Sequence, residues 1–338
     1  LFWDIRCPEY YVNVRTSDVQ KFEIIFVRKQ RIAILTGGPF AEHEASVLSG
    51  KAIEDALGAK YSPTPVLVKR DGEWSVSPPK LEELADIVFV AMHGKYGEDG
   101  TVQDILGQLG IPYTGSSALV SALAINKVLT GRFLRALGFN TPRFHALEKA
   151  DSGNFLLDFD FPVMVKPVDR GLSLGVGFAR ESGELNNALT RAYEFSKSVL
   201  VEEYIPGREI NVTVIDNGGG ELVPMMPVEI IPRGESFHDY YTKHAPDAGE
   251  VIIPAILKGR EKDDVLAAGL LAHQGIGARG VSKTDMILSH DGRLYILEIN
   301  TIPSFIPTGA LAKATAGYGL SLPEVCERII ETASRLSI

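Results

Sequence analysis

The 338-residue chain has two cysteines, Cys7 and Cys326. So few thiols, so widely separated, exclude a disulfide framework and a cysteine-built zinc site, and they predict a reducing compartment. No apolar run approaches the ~20 residues that a membrane-spanning helix needs, and the N-terminal residues lack the basic, apolar and small-residue order of a secretion signal. The expectation is a cytoplasmic protein with no membrane partner. Positive charge is also scarce: 34 Lys and Arg against 43 Asp and Glu give a formal net charge of -9. Nucleic acid is disfavoured by that balance, because phosphate backbones call for a basic surface. An anionic substrate would need a locally basic cleft. There is no internal repeat, no low-complexity tract, and no phosphate loop of the form G-x-x-x-x-G-K-[ST].

What remains is 45% hydrophobic and 23% charged, the composition of a globular chain large enough for two or three cores. Residues 1–30 stand apart as apolar patches around Trp3 and Phe22 without a repeating pattern, and read as a packed terminal appendage of no assigned function. From Arg31 the pattern is regular. Strands at 32–35, 66–68 and 85–92 alternate with a helix at 45–57 and one opening at Thr101, where Asp104 completes a variant capping box. Such alternation implies α/β architecture with a parallel sheet. One helix is expected over 118–137, with Thr141-Pro142 as a linker. Beyond it lie β-like runs at 161–167, 199–203 and 209–215, and a last helix opened by the capping box of Ser321 and Glu324. The expected units are 1–30, 31–120, 121–221 and 222–338.

The richest stretch is 283–300. Two apolar runs flank Asp291-Gly292, the strongest short hairpin signal. If those two residues form the loop, Asp285 lies across from Glu298 and Lys283 across from Asn300, and all four share one strand face. Opposed carboxylates repel in a sheet. A surface hairpin with solvated acids is the plain alternative, but the run 294–299 is apolar on both faces, and a buried carboxylate pair needs a partner. A hard cation held by oxygens of Asp285, Glu298 and Asn300 satisfies it, which predicts Mg2+ or Mn2+ carrying a nucleotide. Phosphate groups also need cations and backbone amides. Lys166 ends an apolar run and precedes a loop punctuated by Gly171, Gly175 and Gly177, able to turn several N–H groups toward an anion; an ordinary hairpin turn is the other reading.

These residues resemble the D-alanine:D-alanine ligase family of the ATP-grasp superfamily. Gly37-Gly38 with Glu42, His43, Glu44 and Ser46 is similar to the family's first signature, and the run His93 to Gln103 to its second. Ile111 to Ser116, Asn126-Lys127 and Glu298-Ile299-Asn300-Thr301 continue in register, so the resemblance covers residues 31–335. It implies a three-domain α/β ATP-grasp fold, in which an N-terminal parallel-sheet domain precedes two α+β lobes that grip ATP. It also implies ATP-dependent joining of two D-amino acids through an acyl phosphate, and a homodimer. By the same resemblance Lys127 and Lys166 meet the α- and β-phosphates, and Lys243 reaches the γ-phosphate. Glu202, Glu203, Ile205 and Glu209 line the adenosine site, and Ser173 of the glycine loop serves both nucleotide and substrate. Glu44 would bind the first substrate's ammonium group, or else simply favour a helix N-terminus. His93 would sit near the acyl phosphate or be a satisfied turn histidine, and Lys283 would act on the amino-acid side.

The departures from the family cluster around the amino-acid pocket. Its usual Glu-Gly-Ser-Ser is Arg170-Gly171-Leu172-Ser173 here, its Lys-Tyr is Lys243-His244, its arginine before the metal aspartate is Lys283, and a usual glycine is Ser304. Lysine keeps the charge but loses the bidentate grip on a carboxylate. By the resemblance the leading expectation is D-alanyl-D-alanine synthesis, and the departures open two alternatives. They are the same chemistry on another amino or hydroxy acid, and a catalytically silent nucleotide-binding protein.

Overall fold

Three parallel strands, β3 (Arg31–Gly37), β4 (Ser62–Val68) and β5 (Ile87–Val90), form an N-terminal sheet in the order β4-β3-β5. The central strand is covered on both faces, and Ile32, Ala33, Ile34 and Leu35 are all fully buried, so it reads as a continuous apolar run. The computed structural model describes residues 10–17, 21–58, 60–149, 155–231 and 250–335, with side chains from 28 onward and, after the last gap, from 252. Within the appendage, β1 (Tyr10–Ser17) and β2 (Lys21–Arg28) pair antiparallel as a sheet of their own. Cys7, Lys243 and His244 lie outside the described residues.

Helices α1 (His43–Leu57), α2 (Leu81–Leu84) and α3 (Thr101–Gln108) complete the first unit. Thr101 does not cap α3. That place is taken by Gly100 in the left-handed region, and the Asp99 carboxylate accepts the amides of Tyr96 and Thr101. The single helix expected over 118–137 is two, α4 (Ala118–Ile125) and α5 (Lys127–Ala136). Asn126 leaves the helical region and its Oδ1 accepts the Leu129 amide at 3.0 Å, the N-cap chemistry its side chain favours. The break starts a new helix at Lys127.

A four-stranded antiparallel sheet follows, built from β6 (Phe144–Glu148), β7 (Val163–Pro167), β8 (Gly177–Ala179) and β9 (Ser198–Glu203) in the order β6-β9-β7-β8. Helix α6 (Ser182–Tyr193) covers one face through Ala188, Leu189 and Ala192. The last sheet contains β10 (Gly207–Asp216), β11 (Leu222–Pro224), β12 (Val228–Ile231), β13 (Glu250–Ile252), β14 (Val281–Ser289) and β15 (Leu294–Asn300). Its order is β13-β12-β10-β14-β15, with β11 also on β10. The expected division at 221/222 therefore runs through this sheet, because β10 lies between β12 and β14.

Helix α7 (Glu261–Ile276) buries Val265, Ala272 and Ile276 against Ile210, Val212 and Val214 on one face of that sheet. Helices α8 (Ala310–Gly317) and α9 (Leu322–Arg335) instead join the N-terminal domain. There Ile329 and Ile330 share a core with Ile53 and Leu57, and Phe305 meets Phe89 edge-on at 5.5 Å. Cys326 sits in this core with its thiol pushed up to about 12 by burial, which leaves it inert. Glu324 accepts both the amide and the hydroxyl of Ser321, as the capping signal predicts. Among the described residues no helix is long and apolar enough to cross a membrane.

The hairpin β14–β15 keeps the expected pairs Lys283↔Asn300 and Asp285↔Glu298, but for a different reason. Its loop has three residues, His290 to Gly292, closed by Ser289 and Arg293, with Gly292 at a φ of +84° that suits glycine. The register is one residue off until a bulge at Leu297, between the pairs Met286↔Ile296 and Asp285↔Glu298, restores it.

Candidate active site

The four-stranded sheet and the large sheet face each other across a cleft of about 580 Å³. Met164, Phe178, Leu174 and Val176 come from one side, and Ile287 and Leu297 from the other, making an apolar slot for a flat ring. At its rim are Glu202, Glu203, Tyr204, Ile205 and Glu209. Glu203 is held by Arg143, whose amide and Nε both donate at 2.8 Å. A bidentate pair of Arg208 with Glu229, both contacts 2.6 Å, closes the same end.

Toward the other end the lining turns charged. Lys166 leaves β7 to meet the Glu202 carboxylate on β9. Lys127, set by the Asn126 cap, reaches Glu298 at 2.9 Å and donates to the Arg170 carbonyl at 2.7 Å. Ser173 lines the cleft from the glycine loop, where Leu172 and Ser173 hold φ of +52° and +58°. Two successive non-glycine residues in that region are strained, and such strain persists where the surrounding structure fixes it.

Asp285 and Glu298 face each other as the register requires, and Asn300 donates from Nδ2 to Asp285 Oδ2 at 3.1 Å. Lys283 meets the same oxygen at 2.9 Å. Asp285 Oδ1 is buried and accepts no hydrogen bond. Burial raises the Asp285 pKa, Lys283 works against that, and Glu298 and Glu209 add to it. Glu298 is held low: burial opposes, but Lys127, then Lys283 and Lys166, outweigh it. A buried carboxylate, a half-buried one and an amide, all oxygen donors, with one carboxylate oxygen unsatisfied, fit a hard divalent cation. Among the described residues no three His, Cys, Asp or Glu side chains cluster for a metal; the further oxygen beside the Asp285–Glu298 pair is that of the Asn300 amide.

Behind Glu298 a second, small pocket is lined by Glu98, Lys127, Arg170, Asn300 and Thr301. Glu42 is 2% exposed, with neither carboxylate oxygen in a hydrogen bond of normal length and angle. Burial raises its pKa, while its own backbone, Arg170 and the Gly171 amide pull it part of the way back. Gly94 at φ +68° makes room, since a Cβ there would stand 2.3 Å from the Glu42 carboxyl carbon. Glu44, by contrast, is exposed and paired with Arg70 at 2.7 Å. The ammonium site was expected at Glu44; the structure leaves that carboxylate in solvent and buries Glu42, two residues earlier.

His93 is buried with both ring nitrogens occupied: Nδ1 donates to the Ile302 carbonyl at 3.0 Å and Nε2 accepts from the Ser49 hydroxyl at 2.7 Å. Burial lowers its pKa to about 4. Both ring nitrogens are thus satisfied, and burial favours the neutral ring. Glu98, raised to about 7 by burial, accepts the amides of Gly94 at 2.6 Å and Ile302 at 3.1 Å. Together His93 and Glu98 clamp Ile302, just beyond the metal strand. No role is expected from sequence for Glu42, Glu98, Arg170 or Asn211. Asn211 pairs with Asp285 in the sheet register, is fully buried, and has neither amide atom hydrogen-bonded.

The family model described as D-ala D-ala ligase C-terminus matches residues 133–331, and that described as D-ala D-ala ligase N-terminus matches residues 75–116. A D-alanine-D-alanine ligase of Anaeromyxobacter sp. (strain K) is 36% identical over 308 residues, spanning 90% of this chain and 97% of the relative. One from Geotalea uraniireducens is 34% identical over 310 residues, spanning 91% and 97%. Among solved structures, the D-alanine-D-alanine ligase of Coxiella burnetii aligns with a TM-score of 0.79 at 26% identity, covering 91% of this chain and 95% of that one. The Bacillus anthracis enzyme complexed with ATP gives 0.74 at 29%, covering 91% and 98%. The VanG D-Ala:D-Ser ligase of Enterococcus faecalis gives 0.78 at 26%, covering 90% and 100%.

Proposed function

The chain belongs to the D-alanine-D-alanine ligase family, and from that membership we propose how its own residues carry out the reaction. It is an ATP-dependent, ADP-forming ligase that joins D-alanine to D-alanine. The observation that carries the assignment of roles is the convergence of Lys127, Lys166, Ser173, Glu202, Glu203, Ile205, Glu209, Asp285 and Glu298 on one cleft.

Adenine takes the apolar slot, with Glu202, Glu203, Ile205 and Glu209 around the nucleoside. Lys127 and Lys166 bind phosphates; each is held beforehand by a carboxylate, so its position is set before the anion enters. Lys243, expected at the γ-phosphate, keeps that role as a proposal. Mg2+ or Mn2+ held by Asp285, Glu298 and Asn300 neutralises phosphate charge when bound. Glu42 takes the ammonium group of the first amino acid. That amino acid's carboxylate oxygen attacks the γ-phosphorus, and ADP leaves with the electrons of the broken P–O bond. The amine nitrogen of the second amino acid, having lost a proton, then attacks the acyl carbon, and phosphate leaves with the C–O electron pair. His93 and Glu98 position the loop after β15 without touching substrate. Lys283, held on Asp285, we assign to the acceptor carboxylate.

The lobes that grip ATP are drawn at 121–206 and 207–335, following the sheets. The enzyme is placed in the cytoplasm as a homodimer, consistent with two cysteines and the family resemblance.

A second reading, ligation of a different acceptor, is favoured by Lys283, whose ammonium group is tied to Asp285, and by Leu172 in the strained loop. One experiment tests both: the protein, ATP, magnesium and a panel of D- and L-amino acids with D-lactate, read by phosphate release and product mass. D-Ala-D-Ala as main product supports the first reading. Another product mass replaces it with the second, and no phosphate release with any pair sinks both.

A further inference from the structure

We propose that Arg170 is a donor-binding catalytic residue in this chain, its guanidinium holding the α-carboxylate of the first amino acid while Glu42 holds the ammonium group. The inference rests on the ligase reading above and deepens it.

Arg170 is the one arginine that lines both the main cleft and the small pocket behind Glu298. It therefore stands where the nucleotide site meets the amino-acid site. Its guanidinium is largely buried, with the side chain 12% exposed. One edge is anchored: Nη1 donates to the Asp169 carbonyl at 3.1 Å and lies 3.3 Å from the Asp169 carboxylate. The group sits over the Phe40 ring at 5.5 Å, a ring that Lys95 also covers, and Lys95 meets Asp169 at 3.2 Å. Nε and Nη2 make no hydrogen bond among the described residues. A planar guanidinium fixed along one edge and open along the other is built to take a carboxylate.

The second half of the site is Glu42, buried without a hydrogen bond and close enough to Arg170 for its charge to act on it. A carboxylate without a hydrogen-bond partner and a half-paired guanidinium, within electrostatic reach of each other, complement the two charges of an α-amino acid. The loop is also tied to the phosphate end, because Lys127 bridges the Arg170 carbonyl and Glu298. A carboxylate on Arg170 thus sits beside the cation that binds phosphate, as attack on the γ-phosphorus requires. Stacking and the Asp169 contact alone would make Arg170 only a latch for the glycine loop, and the test separates the two roles.

Arg170→Gln, Arg170→Lys and Phe40→Leu are compared with the unaltered enzyme for the KM of the first amino acid, kcat, and affinity for a fluorescent ATP analogue. Losing one partner of a buried charge contact predicts a first-substrate KM about 30-fold higher in Arg170→Gln, with nucleotide affinity within about twofold. Arg170→Lys recovers part of the loss, and Phe40→Leu changes the KM by less than about threefold. An unchanged first-substrate KM in Arg170→Gln overturns the proposal. So does equal loss in Phe40→Leu, or loss of nucleotide binding together with substrate binding. If the unaltered enzyme makes product and Arg170→Gln behaves like it, only this inference fails; if the unaltered enzyme makes none, the ligase reading fails as well.

Discussion

The two ends of the cleft solve the burial of charge in opposite ways. At the nucleotide end each cation already has a carboxylate: Lys166 with Glu202, Lys127 with Glu298, Arg143 with Glu203 and Arg208 with Glu229. At the amino-acid end both oxygens of Glu42 are buried without partners, and at the carboxylate pair between the two ends so are Oδ1 of Asp285 and the amide of Asn211 beside it. Buried polar groups are normally satisfied, so an end that leaves a carboxylate unsatisfied is shaped for something that arrives later. The nucleotide end exchanges one anion for another when phosphate enters, whereas the amino-acid end gains contacts it never had. Ligand should therefore stabilise the fold more from the amino-acid side, per contact made, than from the nucleotide side.

The largest effect belongs to the residue that serves both ends. Glu298→Gln removes a metal-facing carboxylate and leaves Lys127 without its partner. We expect ATP turnover to fall by about 10³-fold while the fold survives. Near-normal turnover with magnesium would refute the metal assignment and the division between the two ends.

Next comes the contact that ties the loop after β15 to the N-terminal core. Phe305 is fully buried against Phe89 where the loop after the metal strand enters the N-terminal core. Phe305→Ala should cost about 3–5 kcal/mol of stability by denaturant unfolding. A loss under about 1 kcal/mol would mean that the amino-acid end is not held by this contact.

A sharper cut through the amino-acid end compares two carboxylates two residues apart. Glu42→Gln should raise the KM of the first amino acid roughly 10- to 100-fold, since a buried charge loses its role. Glu44→Gln, which removes only an exposed pair with Arg70, should stay within about twofold. Equal effects, or the reverse order, would return the ammonium site to Glu44.

That pair also shows how far sequence reaches. Both glutamates stand at the start of α1, and by local rules either suits the helix dipole. The difference is made by Gly94, distant in sequence, which presses against Glu42 and shuts it from water. The pairing of Asp285 with Glu298 was legible because Asp291-Gly292 and the strand period are local signals. Even so, the three-residue loop and the bulge at Leu297 are two departures that cancel, and alternation cannot reveal either. The break at Asn126 was within reach, since an asparagine before Lys127 is an N-cap signal inside an apolar run. The alternation of β10 was clear, but a period gives a strand its faces and not its neighbours, so its place between β12 and β14 could only come from the fold.

The smallest expected effect is one of pH, and it asks whether His93 and Glu98 are as dry as their burial implies. His93 is lowered from 6.5 to about 4, so the folded state binds fewer protons than the unfolded chain between those values. Its contribution is present above pH 6.5 and is lost as pH falls toward 4. Glu98 is raised from 4.5 to about 7, so the folded state binds more protons in that window, and stability declines as pH rises toward 7. The slopes have opposite signs and overlap between pH 4.5 and 6.5, where they nearly cancel. His93→Gln keeps a donor for the Ile302 carbonyl but removes one titration. Glu98 then acts alone, and stability should fall by about 1.4 kcal/mol per pH unit from 4.5 to 6.5. Urea unfolding at pH 4.5, 5.5 and 6.5, for the unaltered chain and the variant, measures that slope. Parallel profiles would mean that water reaches the Ile302 clamp, and that the dry, unsatisfied amino-acid end begins only beyond it.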